Sequence, residues 1–361
     1  DRRALKVRRV LMTADAVGGV WRYSLDLSAA LAARGIHTTI AVLGPAPSAT
    51  QRREAARAGV PVIDGGFRLE WMEGGLDDIA ASGAWLQMLE RGLCPDVVHL
   101  NGFSHAQLPW RVPTVVVAHS CVRTWWRAVH AAPPPSGYDD YATAVTRGLR
   151  AANAVVAPSR AMAEELSREY GLTRDQRVIA NGSTVSALPA VEAKAPVILC
   201  AGRAWDPAKN IQALCTVAPA LSWPVHVAGE TRDPDGSLRE FTGVRTLGVL
   251  SSRAMRACYD RASIYALPAR YEPFGLSVLE AASRGCALVL GDIPSLREHW
   301  HDAALFVAPD DHPALREALQ RLIDTPSERT ALARRAWRRA RRFTLARTAD
   351  AYVRLYERLV A

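Results

Sequence analysis

Ile264-Tyr265-Ala266-Leu267-Pro268-Ala269-Arg270-Tyr271-Glu272-Pro273-Phe274-Gly275-Leu276-Ser277-Val278-Leu279-Glu280 reads as strand, loop and helix in immediate succession. Ile264 to Leu267 is a short apolar strand, and Pro268 and Pro273 punctuate the loop. Gly275 lets the backbone turn closely into a helix that starts near Leu276. Glu272 then lies on the loop at the strand's carboxyl end, and Glu280 falls about one turn inside the helix. The N–H groups of Gly275 and Leu276 are expected to face an anion at the helix N-terminus. A carboxylate for hydroxyls, a deeper carboxylate and an anion cradle between them suit a nucleotide sugar. The alternative is an ordinary capped helix with solvated acids.

Outward from this stretch, apolar runs of strand length alternate with helical patterns, which argues for parallel sheets with helices on both faces. In the first half the strands are expected at Val7 to Met12, His37 to Leu43, Asp96 to Leu100, Thr114 to Ala118, Asn153 to Ala157 and Arg177 to Ile179. Trp21 to Ala33 reads as an amphipathic helix. The alternation pauses at Ser186-Ala187-Leu188-Pro189-Ala190-Val191-Glu192-Ala193-Lys194-Ala195-Pro196, which resembles an interdomain linker. It restarts with strand Val197 to Ala201, helix Ile211 to Ala218 and strand Val225 to Ala228, with further helices near Ser251, Leu276 and Pro313. Leu345 to Val360 reads as a last helix with Tyr352, Leu355, Tyr356 and Leu359 on one face. The series imply two doubly wound domains, over residues 1–188 and 197–343, whose ligands lie at the carboxyl ends of both sheets.

Composition agrees with a globular protein. The chain has 361 residues, long for one core, and 49% of them are apolar. No apolar run approaches membrane-spanning length, and the start shows no basic-apolar-small leader pattern. The six cysteines (Cys94, Cys121, Cys200, Cys215, Cys258, Cys286) have no metal-finger spacing, so a reducing, cytoplasmic setting is expected. The net charge of +9 is concentrated in part at Arg334, Arg335, Arg338, Arg339, Arg341 and Arg342 around Trp337. No nucleic-acid module presents that run. It reads as a solvated helix face, with attraction to anionic lipid headgroups as the functional rival.

The segment from Glu272 to Glu280 resembles the E-x7-E motif of retaining GT-B glycosyltransferases of the family 4 type (glycosyl transferases group 1). The Pro, Phe, Gly and Leu between the glutamates make the match specific. The resemblance implies the GT-B fold: two Rossmann-like domains facing across a cleft, with the C-terminal helix (345–361) returning to the first. It implies transfer of a hexosyl unit from a nucleotide-diphosphate sugar, UDP-glucose or a close relative, to an unidentified acceptor. Glu272 would orient sugar hydroxyls, Glu280 would bind the ribose diol, and Phe274, Gly275 and Leu276 would lie against the donor.

Gly202-Arg203-Ala204-Trp205-Asp206-Pro207-Ala208-Lys209-Asn210 is similar to the family's G-R-x…K-x loop. A departing diphosphate needs fixed cations, which Arg203 and Lys209 can supply, one as a planar fork and one as a point charge. Ala16-Val17-Gly18-Gly19-Val20 lacks the dinucleotide fingerprint, and its two glycines leave bare backbone at a helix entrance. The family uses the matching turn near the donor phosphate and sugar. His119, ending Val115-Val116-Val117-Ala118-His119-Ser120, matches a family position where an imidazole approaches the sugar, though Ser120 replaces the common Asp. Backbone near Val249 and Leu250 would lie beside the nucleotide.

Asn101-Gly102 and Asn181-Gly182 are explained by turn chemistry, and Trp125-Trp126 by core packing or a stacking platform. Asp139-Asp140 and Asp310-Asp311 read as capping acids and not as a metal clamp, so no metal or cofactor is expected. Three alternatives stay open: an epimerase on the same architecture, a non-catalytic sugar-nucleotide-binding subunit, and a nicotinamide-dependent oxidoreductase.

Overall fold

The structure, a computed structural model, describes residues 6–361 except 73, 174–175 and 234–235. The first five residues, where a leader would be sought, lie outside the described residues. The chain divides into two compact units, one of Asp1–Arg127, Ala132–Asn181 and Leu345–Ala361, the other of Ala128–Ala131 and Gly182–Thr344.

The chain opens with β1 (Arg9–Asp15), α1 (Gly19–Ala32), β2 (His37–Leu43), α2 (Ala49–Arg57), β3 (Val62–Asp64) and α3 (Ile79–Leu93). There follow β4 (Val97–Leu100), β5 (Thr114–Val117), α4 (Val122–His130), α5 (Asp139–Ala151), β6 (Ala154–Ala157), α6 (Arg160–Tyr170) and β7 (Arg177–Val178). All pairings are parallel, in the order β3-β2-β1-β4-β5-β6-β7. Central strands such as β5 and β6 are buried at every position, because helices cover both faces and the β-branched Val runs pack against them.

The second unit holds β8 (Ala195–Ala201), α7 (Ile211–Val217), β9 (Val225–Ala228), β10 (Arg245–Gly248), α8 (Ser252–Arg261), β11 (Ala262–Leu267) and α9 (Leu276–Ser283). It closes with β12 (Ala287–Gly291), α10 (Pro294–Trp300), β13 (Leu305–Val307), α11 (His312–Asp324) and α12 (Pro326–Ala340). Its parallel sheet runs β10-β9-β8-β11-β12-β13. In both sheets the order reverses beside the unit's first strand, between β1 and β4 and between β8 and β11. A doubly wound sheet binds its ligand at the carboxyl edge of such a reversal.

The last helix, α13 (Leu345–Val360), belongs to the first unit. Ala349, Tyr352, Leu355 and Tyr356 are buried on one face, and Arg34 of α1's end donates to Asp350 and to the Ala346 carbonyl. Beneath that face runs a directional chain of hydrogen bonds. Tyr23 donates its hydroxyl to Tyr352 Oη at 2.7 Å. It must therefore accept from His99 Nε2, 3.3 Å away, which leaves His99 Nδ1 to accept from Tyr356 Oη at 2.6 Å. Tyr356→Phe deletes the only hydrogen and orphans a buried ring nitrogen. The expected loss is about 1–3 kcal/mol of stability, read as a lower urea midpoint. An unchanged midpoint would show that this bond is not made.

Candidate active site

Candidate residues fall on both units. In the second unit they gather at the carboxyl ends of β8, β9, β10 and β11. Asp206, only 2% exposed, shapes the first loop: its Oδ1 accepts from the Ala208 N–H and its Oδ2 from Arg203 Nη2, each at 2.9 Å. Arg203 is thereby held with its guanidinium 5.4 Å over the Trp205 ring, a third of its side chain still open to solvent. Two ties join this loop to the one after β11. Arg270 N donates to the Ala208 carbonyl at 2.8 Å, and Asn210 donates from Nδ2 to the Pro268 carbonyl at 2.9 Å. Lys209 Nζ consequently meets Glu272 Oε2 at 2.6 Å, in a pair whose side chains are only 13% and 14% exposed. The structure thus brings together two predicted residues 63 positions apart.

The Gly275 N–H, expected to face an outside anion, is instead taken by Glu272 Oε1 at 2.9 Å. A carboxylate three residues ahead of the helix is the nearest anion to an N-terminus that lacks a side-chain cap, so it closes on that end itself. Gly275 has φ 87°, which its neighbours Val278 and Leu296 leave little room to fill with a side chain. The Phe274 ring is buried against His299 and Phe343, with centroids at 4.8 and 5.8 Å. An aromatic flanked by Pro and Gly at a tight turn gains more from anchoring the turn in the core than from solvent. Leu276 and Glu280 are half-buried. Tyr259, on α8, has its hydroxyl pushed well above the usual tyrosine range by burial and by the adjoining Glu280 carboxylate.

At the other side of the sheet, Gly229 has φ 139°, and a Cβ there would sit 1.7 Å from the Gly202 carbonyl oxygen. Only glycine lets the ends of β8 and β9 come this close. Gly229 N also donates to the Gly248 carbonyl, next to Val249, which is 70% exposed, and to half-buried Leu250.

In the first unit, Gly18 (φ 84°) and Gly19 stand exposed at the entrance to α1. His119, at the end of β5, is half-buried, and burial pushes its imidazole down to about 3, so it is neutral at physiological pH. Its Nε2 lies 2.9 Å from Asn101 Oδ1. Turn chemistry alone does not account for Asn101, since its amide also donates to the Thr13 carbonyl at 2.7 Å and to Ser24 Oγ. Sequence reasoning missed Asp206 as well. The available signal was Asp-Pro at the mouth of a turn, an N-cap followed by proline at the first helical position.

The remaining candidates find structural partners. Asp311 caps α11 through Ala314 N, and Asp310 pairs with Arg270. Trp125 and Trp126 pack edge-on at 5.8 Å, the second also against Tyr138. Arg334, Arg335, Arg338, Arg341 and Arg342 are exposed, as a solvated helix face requires, and Arg339 is half-buried. Arg334 pairs with Glu192, Arg335 donates to the Asp302 carbonyl, Arg339 to the His299 carbonyl, and Arg341 covers Trp337. All six cysteines are free, and four of them are buried. Among the described residues no helix is long and apolar enough to cross a membrane.

Comparison with known proteins agrees with the two parallel-sheet units. The family model Glycosyltransferase Family 4 matches residues 17–186, and the model Glycosyl transferases group 1 matches residues 195–325. A glycogen synthase of Mycobacterium tuberculosis is 26% identical over 367 residues, spanning 90% of this chain and 86% of the relative. A D-inositol 3-phosphate glycosyltransferase of Kineococcus radiotolerans is 34% identical over 112 residues, 28% of this chain and 26% of its own. Sucrose-phosphate synthase of Thermosynechococcus elongatus shares the fold with a TM-score of 0.79 at 18% identity, covering 98% of this chain and 99% of its own. HepE of Anabaena, solved in complex with UDP and glucose, does so with a TM-score of 0.74 at 17% identity, covering 97% and 99%. With two doubly wound parallel sheets, and with family models matching both halves of it, the chain belongs to the glycosyltransferases of the family 4 type, on the GT-B fold.

Proposed function

We propose that the protein transfers a hexosyl unit with retention from a nucleotide-diphosphate sugar to an acceptor hydroxyl, without a metal, and that UDP-glucose is the first donor to test. The observation that carries this reading is the pairing of Lys209 with Glu272, at the β8/β11 reversal of the second sheet. A cation and a carboxylate fixed side by side suit the leaving diphosphate and the hydroxyls of the sugar next to it. That HepE, of the same fold, was solved with UDP and glucose supports the choice of donor.

In this reading Arg203 and Lys209 hold the diphosphate, Glu272 orients the sugar, and Glu280 takes the ribose diol. Gly275 and Leu276, with Val249 and Leu250, contribute backbone to the nucleotide. On the first unit, Gly18, Gly19 and His119 serve the phosphate and the sugar. The acceptor oxygen bonds to the anomeric carbon on the face from which the phosphate oxygen departs, and that oxygen takes the acceptor's proton. Contact with an anionic membrane rests on Arg338, Arg341 and Arg342, exposed on or just after α12.

The test is nucleotide release from a panel of nucleotide sugars, with and without EDTA and a cell-envelope extract, followed by NMR of the product anomer. Release that needs Mg2+ or Mn2+, or an inverted anomer, sinks the corresponding part. Glu280→Ala is expected to weaken UDP binding about tenfold to a hundredfold, from the loss of charge-assisted hydrogen bonds worth about 1.5–3 kcal/mol. Unchanged affinity in calorimetry of the folded variant removes Glu280 from the site.

A further inference from the structure

We infer that the cavity between the turn Val191–Ala193 and helix α12 binds a phosphate monoester through Arg334, Arg335 and Arg338, with Glu192 as its built-in competitor. The cavity lies wholly within the second unit, and its ligand is independent of the donor proposed above.

The sequence of α12 prepares one face for this task. Ser327, Thr330, Arg334 and Arg338 recur at steps of three or four residues, with Arg335 beside them, so all five share one stripe of the helix. Leu332, Ala333, Ala336 and Ala340 are buried on the opposite face. The stripe and Glu192 line a cavity of about 460 Å³. That volume suits a small molecule.

Two of the three guanidinium groups are already oriented by the protein. Arg334 donates from Nη2 to Glu192 Oε1, and Arg335 donates from Nε to the Asp302 carbonyl at 3.1 Å. An arginine carries five N–H donors, so both keep donors to spare. Arg338 is exposed and has no ion pair among the described residues. Three guanidinium groups against one carboxylate leave two positive charges at the cavity. A phosphate monoester carries close to two negative charges at neutral pH and three strong acceptor oxygens, which guanidinium forks take in pairs. The Ser327 and Thr330 hydroxyls are further donors on the same stripe.

Glu192 is placed to yield. Its side chain and that of Arg334 are 56% and 52% exposed, and so open a pair is worth little. The segment that carries it is anchored independently, because Val191 is buried and Trp337 Nε1 donates to the Ser186 carbonyl at 3.1 Å. Only the carboxylate has to swing aside.

The test uses the whole chain labelled with 15N-arginine, and glycerol 3-phosphate as the probe. The Nε–H signals of Arg334, Arg335 and Arg338 should move together in one saturable titration. A shift of Arg203 in place of these three would put the ester at the proposed donor site and overturn the inference. Arg338→Ala should weaken binding at least tenfold, and Glu192→Gln, which removes the competitor and keeps its shape, should strengthen it about tenfold. Vesicles then identify the source of the phosphate, since phosphatidic acid carries the monoester on a lipid and phosphatidylglycerol only a diester. Saturation by the free ester assigns the cavity to a soluble ligand. Binding to phosphatidic acid vesicles alone, with the same response to both variants, assigns it to a headgroup. Equal binding to phosphatidylglycerol vesicles of matched charge, indifference to both variants, or no binding of either probe overturns the site.

Discussion

Lys209→Ala is expected to lower turnover by about a hundredfold or more, and Arg203→Ala by a similar factor, the scale of losing one preorganised donor from an oxyanion site. In the proposed reaction negative charge grows on the diphosphate as the glycosidic bond breaks, so cations fixed there would count for more in the transition state than in the ground state. A role in binding alone would raise KM and spare kcat, and surface residues would leave both unchanged. Lys209→Ala carries a second effect, because Glu272 is only 14% exposed and would lose its cation. Pairing Lys209→Met with Glu272→Gln should recover most of the lost thermal stability and none of the turnover. Until an acceptor is known, slow donor hydrolysis can serve as the assay. If both single variants hydrolyse donor at the wild-type rate, the phosphate site lies elsewhere.

The first unit should lose stability steeply in mild acid. His99 is fully buried among Tyr23, Tyr352 and Tyr356, and burial lowers its imidazole to about 3. In the unfolded chain the same group titrates near 6.5. Below that pH the unfolded state binds a proton that the native state refuses. The contribution is therefore complete above about pH 6.5 and drains away towards about pH 3, at roughly 1.4 kcal/mol per pH unit. His119 acts in the same sense, discounted for its partial exposure. The urea midpoint should be flat from pH 8 to 7 and fall sharply below 6, before ordinary carboxylates titrate. A flat profile down to pH 4.5, or a His99 ring proton that titrates near neutrality, would contradict the buried neutral ring.

Buried parallel strands are easy to read because both of their faces are apolar: β2 and β9 match the expected residues, and α9 and α13 begin where the pattern begins. β3, β10 and β13 were passed over, since each is short and at least partly open to solvent, and so was β12, although it is buried at every position. The helix α2 was missed despite its capping box, Ser48 with Gln51, because only Ala55 gives it an apolar face. The site divides along the same line. Glu272 and Lys209 stand in local motifs and were legible. The bond between them was not, nor were those of Asn101 to Thr13, 88 residues away, or of Tyr23 to Tyr352, 329 residues away. Such bonds depend on which strand ends become neighbours, and no local pattern encodes that.

In the proposed site, the pairing of each cation with its own carboxylate also governs how far the site can be felt. Arg203 faces Asp206 and Lys209 faces Glu272, with Glu280 a few residues further on. In that site two cations set against three carboxylates carry no net positive charge of their own, although the chain as a whole carries +9. At physiological ionic strength the screening length is about 8 Å, so a dianionic donor is not drawn in from solution by this group. Recognition begins at contact, and the association rate for the donor should hardly respond to added salt.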